Sequence, residues 1–142
     1  MEKAHYVLFR KEQIDNVLAV PMEKGKNPLE PLKSLGLPFN IIGINAAPIK
    51  DSGAEVHKKM DDLFLCMSGK IDFVCGGELV NPTAKKKLDG SQDEDELRSK
   101  EIKGGTELVL NPGDWLWVPA GTPHKNGAVA AHLIVIKIPS EG

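Results

Sequence analysis

Glycine and proline interrupt this chain too often for any long element to run through it. Fourteen glycines and ten prolines fall among 142 residues, and the apolar runs between them are short. Ile41–Ala46, Leu63–Met67, Leu108–Leu110, Trp115–Val118 and His132–Ile138 each read as a strand bounded by turn residues. Lys70-Ile71-Asp72-Phe73-Val74 alternates polar and apolar, as a half-buried strand does. Only Ser68-Gly69 separates it from Leu63–Met67, so the two runs are expected to pair as a hairpin. Asn111-Pro112-Gly113-Asp114 and Pro119–Pro123 force further sharp connections. Many short strands, with one weak helix at most, predict an all-β sandwich or barrel.

Two regions fall outside this texture. In residues 1–39, Tyr6–Phe9 is a candidate strand and Ile14, Val17 and Leu18 share one helix face. Pro21, Pro28, Pro31 and Pro38 then break any long element, predicting a winding segment packed on a barrel that occupies 40–142. Between Thr83 and Lys103, three lysines precede the acidic cluster Asp93–Glu96 and large apolar residues are few. That composition predicts a solvated, mobile loop, or alternatively a lid over a pocket.

Composition narrows the function classes. With 41% hydrophobic and 27% charged residues, this is a globular domain without an apolar run of membrane-spanning length. A net charge of −2 argues against nucleic acid as the main partner, because phosphate binding wants a basic face. The N-terminus lacks a signal-peptide pattern, so the expected location is the cytoplasm. Cys66 and Cys75 sit in strand-like runs without CxxC spacing and read as buried small hydrophobes. His5 is given no role.

Chemistry concentrates in Glu55-Val56-His57-Lys58-Lys59-Met60-Asp61-Asp62 and in Gly113–His124. Glu55, His57, Asp62 and His124 are of types that ligate metals. In an extended segment Glu55 and His57 share a face. A carboxylate and an imidazole facing inward are costly to bury unless something pairs with them. A divalent metal is the simplest such partner. Asp61 competes with Asp62, but parity through Phe64 and Cys66 favours Asp62. His132 reads as inward with Ile134 and Ile136 if Lys137 faces solvent; it and Glu55 are the candidates for acid–base work. Trp115 and Trp117 share a face, for packing between sheets or across a dimer, or for stacking on a substrate.

These residues resemble the cupin superfamily over roughly residues 40–138. The usual first motif is two histidines one residue apart, then a glutamate, six residues and a glycine. Glu55 stands for the first histidine, His57 for the second, Asp62 for the glutamate, and Gly69 closes the motif. The second motif is matched by Gly113 and Pro119-Ala120-Gly121-Thr122-Pro123-His124. More narrowly, the chain is similar to a group of small single-domain cupins through Glu55-Val56-His57, Phe73–Val80 and Arg98–Gly105. The resemblance implies a jelly-roll barrel, a central metal bound by Glu55, His57, Asp62 and His124, and a homodimer.

Two imidazoles with two carboxylates form a harder ligand set than the family's usual one. It favours Fe, Mn, Zn or Ni as a divalent ion over Cu(I). Asp62 is a methylene shorter than glutamate, so contact through water is an alternative. The expected function is a metal-dependent enzyme acting on a small oxygenated metabolite, of dioxygenase, isomerase or lyase/decarboxylase type. A non-catalytic ligand- or metal-sensing cupin is the alternative, and a metal-free structural barrel is a third.

Overall fold

Antiparallel strands build the computed structural model, which describes residues 6–140; His5 lies outside them. One sheet runs in the order β1 (Gly25–Pro28), β2 (Phe39–Ala47), β12 (His124–Pro139), β4 (Met60–Ser68) and β11 (Trp115–Val118). The other runs β7 (Thr83–Lys86), β8 (Gln92–Ser99), β3 (Ala54–His57), β12, β5 (Ile71–Cys75) and β10 (Thr106–Leu110). Strand β12 belongs to both. Its first residues pair with β3 and β5, and from Ala128 onward it pairs with β2 and then β4. The sheet therefore curls on itself as a jelly roll. A small pair, β6 (Glu78–Leu79) with β9 (Ile102–Lys103), stands apart.

Period-2 alternation fills the interior. Phe64 and Cys66 of β4, Ile71 and Phe73 of β5, and Leu133 and Val135 of β12 share one buried cluster. The Phe64 and Phe73 rings meet at 5.0 Å. Burial of each such side chain contributes about 1.5–3 kcal/mol. A second cluster coats the outer face of the first sheet. Helix α1 (Lys11–Leu18) supplies Val17 and the short helix α2 (Leu32–Leu35) supplies Leu32; both pack with Leu29 and Ile41, against Phe9, Phe39 and Ile134.

Several expectations are corrected. Tyr6–Phe9 is not a strand. Strands β4 and β5 do not form a hairpin: Ser68-Gly69 carries the chain from one sheet to the other, and each strand pairs with β12 rather than with its neighbour in sequence. Gly69 has φ of 73°, and a Cβ there would collide with the Ala130 carbonyl. The turn residues were read correctly, but two residues suit a corner as well as a hairpin.

Residues 83–103 are not a loop. Strands β7 and β8 pair with each other, and β8 pairs with β3 from Ala54↔Ser99 to His57↔Glu96. Backbone ladder bonds and the cross-strand Lys85–Glu96 pair, 3.1 Å apart, serve where apolar side chains are few. The parity of β12 is also reversed. Leu133 and Val135 enter the core while Ile134 packs against the outer cluster, so Lys137 points into the barrel. The N-terminal segment makes both faces of this strand apolar and hides its parity. Trp115 and Trp117 lie on the outer surface, 62% and 58% exposed, and neither packs between the sheets. Cys66 is buried, Cys75 half-buried, and both thiols are free. No helix among the described residues is long and apolar enough to cross a membrane.

Candidate metal centre

Three neighbouring strands bring the chemistry to one interior point. Strand β3 carries Glu55 and His57 on one face, β4 carries Asp62 as its third residue, and β12 opens with His124. The register sets His124 opposite Glu55, and Lys137 opposite Asp62. Backbone bonds lock the loops around them: the Gly121 amide donates to the His57 carbonyl at 2.8 Å. Asp61, the competitor of Asp62, turns away and accepts the Ala120 amide at 2.7 Å. Asp62 is 1% exposed, and His57 and His124 are also buried.

The donor atoms face a common centre. His57 Nε2 is 3.1 Å from Asp62 Oδ2 and 3.6 Å from Glu55 Oε1. His124 Nε2 is 3.3 Å and 3.7 Å from the same two oxygens. Donors around one ion with bonds of about 2.1 Å stand roughly 3.0–3.4 Å apart; the two Asp62 separations fall in that range and the two Glu55 separations lie a few tenths of an ångström beyond it. Both imidazoles are turned by their other nitrogen. His57 Nδ1 donates to Glu96 Oε1 at 2.6 Å, and His124 Nδ1 to the Thr122 carbonyl at 3.1 Å. Each Nε2 is thereby aimed inward. Asp62 Oδ2 and His124 Nε2 are buried without a hydrogen-bond partner. Buried polar atoms are rarely left so, and here they mark where a ligand-accepting ion fits. Glu55, His57 and His124 form a group able to hold such an ion.

Electrostatics bind the cluster together. Burial pushes the Glu55 carboxyl up, but the His124 and His57 imidazoles outweigh it and hold the group well below the usual carboxylate range. Asp62 behaves likewise, with Lys137 adding to the imidazoles. Burial lowers His57, yet Asp62, Glu55 and Glu96 together push it up to about 11. His124 is raised by Asp62 and Glu55 against its own burial. Glu96 is pulled down to about 2, mainly by His57. At neutral pH the carboxylates are thus charged and His57 is protonated, so a metal ion would enter by displacing the imidazole proton.

No family model and no curated protein sequence matches the chain. Solved structures do. Escherichia coli YcfD superposes with a TM-score of 0.51 at 18% identity, over 73% of this chain and 26% of YcfD. The chain has the cupin fold. Two further cupin-fold structures lie slightly farther away. Hydroxypropylphosphonic acid epoxidase from S. wedmorenis, in complex with fosfomycin, gives 0.49 at 14% identity over 75% of this chain and 46% of its own. The Drosophila melanogaster CENP-C cupin domain gives 0.45 at 14% over 74% and 58%. The chain spans less than two thirds of each, and at these identities the likeness is one of fold.

Within the cupin barrel the structure adds residues that the sequence reading missed. Glu96 orients His57 from strand β8. Lys137 Nζ donates to Asp62 Oδ1 at 2.6 Å and lies 3.3 Å from His57 Nε2. Arg98 lies 3.4 Å from Glu55 Oε2. A strand reading of 92–99 places Glu96 and Arg98 opposite His57 and Glu55, so the register was the signal available. His132 does not join the cluster. Its Nδ1 meets Ser68 Oγ at 2.8 Å at the far end of β4. Asp62 is six residues from Ser68, about 20 Å along a strand. Trp115 and Trp117 also lie outside it.

Proposed function

We propose that this cupin binds one divalent transition metal, Fe, Mn, Zn or Ni, through Glu55, His57, Asp62 and His124, and uses it to transform a small oxygenated metabolite. The observation that supports the reading most is the convergence of both Nε2 atoms on Oε1 and Oδ2, with the Nδ1 side of each ring already satisfied. A bound divalent ion supplies Lewis acidity to a ligand oxygen and acidifies a bound water.

The chain's own residues set the rest. Glu96 keeps the His57 proton on Nδ1, so that Nε2 stays a donor to metal. Lys137 occupies Asp62 Oδ1 and leaves Oδ2 for the centre. Phe64, with its ring 5.9 Å from that of His124, walls the centre off on its core side. Glu55 is the most exposed of the four donors and stands beside an open cleft, so it is the donor that an entering substrate would meet first.

The test is turnover of a panel of oxygenated acids and sugars by metal-loaded protein. Conversion that disappears in His57→Ala is expected. Ligand binding without any conversion would remove the enzyme reading and leave a binding or sensing cupin.

A further inference from the structure

We infer that the ligand received at this centre is an anion, a small carboxylate able to chelate, met by Arg98 or Lys137, the two cations that adjoin the donor set. The inference rests on the metal reading above and names its substrate class.

Charge around the centre is unevenly matched. A divalent ion with neutral imidazoles is balanced by the Glu55 and Asp62 carboxylates. Glu96 is balanced by Lys85 at 3.1 Å. Two cations then have no anion left to offset them. Lys137 Nζ stands 3.3 Å from His57 Nε2, one of the nitrogens proposed to hold the ion. Arg98 stands 3.4 Å from Glu55 Oε2, next to another proposed ligand. Without metal these cations serve the carboxylates; with metal the same carboxylates are shared, and both cations favour an incoming anion.

Access agrees with this charge pattern. Side-chain exposures of 35% for Lys137 and 49% for Arg98 leave both reachable from solvent. A cleft of about 460 Å³ opens beside Glu55, lined by Lys26, Ser52 and Arg98 as well. Lys26 lines the same cleft and feels the charge of Glu55. Asp51 also lines the cleft and is the one acid there besides Glu55. A carboxylate with a neighbouring hydroxyl or keto oxygen suits such a site: one oxygen reaches the ion while the charged group meets the fork of Arg98 or the Lys137 ammonium. A neutral sugar would leave both cations unmatched.

The experiment uses Co(II)-loaded protein and follows its visible absorption during titration with glycolate and with glycolamide, which differ in charge at one group. Any divalent ion prefers the carboxylate, so Lys137→Met and Arg98→Gln carry the decision. Glycolate is expected to shift the spectrum saturably and to bind at least tenfold more weakly to each variant, measured at Co(II) concentrations that saturate that variant. Saturation with Co(II) separates a role in anion binding from a weakened metal site, whose effect disappears once the ion is bound. Lys137→Gln replaces the methionine variant if the latter does not fold. Unchanged glycolate affinity in the variants that hold Co(II) overturns the inference. Failure of the parent protein to take up Co(II) overturns the metal centre, and the inference with it.

Discussion

His57 is fixed from both sides, by Glu96 on Nδ1 and by the cluster of Asp62, Glu55 and Lys137 on Nε2. Orienting carboxylates of this kind are worth about 10–100-fold in metal affinity. Glu96→Gln is therefore expected to weaken binding by that order in competition with a chromophoric chelator, with the circular dichroism spectrum unchanged. His132 makes a separate test, remote from the metal residues. Burial depresses its imidazole below the usual 6.5, so the unfolded chain takes up a proton before the fold does. Its contribution to stability is complete above that value and is lost as pH falls through the lower folded value. The thermal midpoint of His132→Gln should fall less than that of the parent between about pH 7.5 and 5.5. An equal fall in both proteins counts against the assignment. Glu55, His57, Asp62 and His124 were legible because strand parity and the motif spacing agree on them. Lys137 was not, since a lysine near a strand end ordinarily faces water and only the register across to Asp62 turns it inward.

Elements were legible where apolar alternation is strong and one-sided. Strands β4, β5, β10 and β11 all fall on runs identified from the chain. Two kinds of element escaped. Strand β8 has five charged residues among its eight, and its neighbours β3 and β7 supply ladder bonds while Lys85 supplies a counter-charge. Strand β12 has a second apolar face under the N-terminal cluster, which hides its period. The corner at Ser68-Gly69 is the most sensitive point between elements. Gly69→Ala combines a left-handed backbone with a collision against the Ala130 carbonyl. It is expected to lose roughly 1–3 kcal/mol or more in urea unfolding. A loss within about 0.5 kcal/mol, the range of ordinary surface substitutions, contradicts the corner as described.

At the scale of the whole molecule, one strand joins both sheets and carries both His124 and Lys137, so barrel and centre are assembled together. Phe73 lies wholly buried in the shared cluster, and Phe73→Ala should cost about 3–5 kcal/mol. The all-β class was legible because glycine and proline turns leave only short strands, and the jelly roll followed only from the resemblance of the two motifs to cupins. The path from sheet to sheet was not, because it depends on long-range pairing that no local run encodes. The measurement that tests the account most directly is elemental analysis of the purified protein, alone and after incubation with Fe, Mn, Zn or Ni, beside His57→Ala and His124→Ala. The account predicts close to one equivalent of a divalent transition metal in the parent and its loss in both variants with the fold intact. No metal in any sample, even after reconstitution, would contradict it.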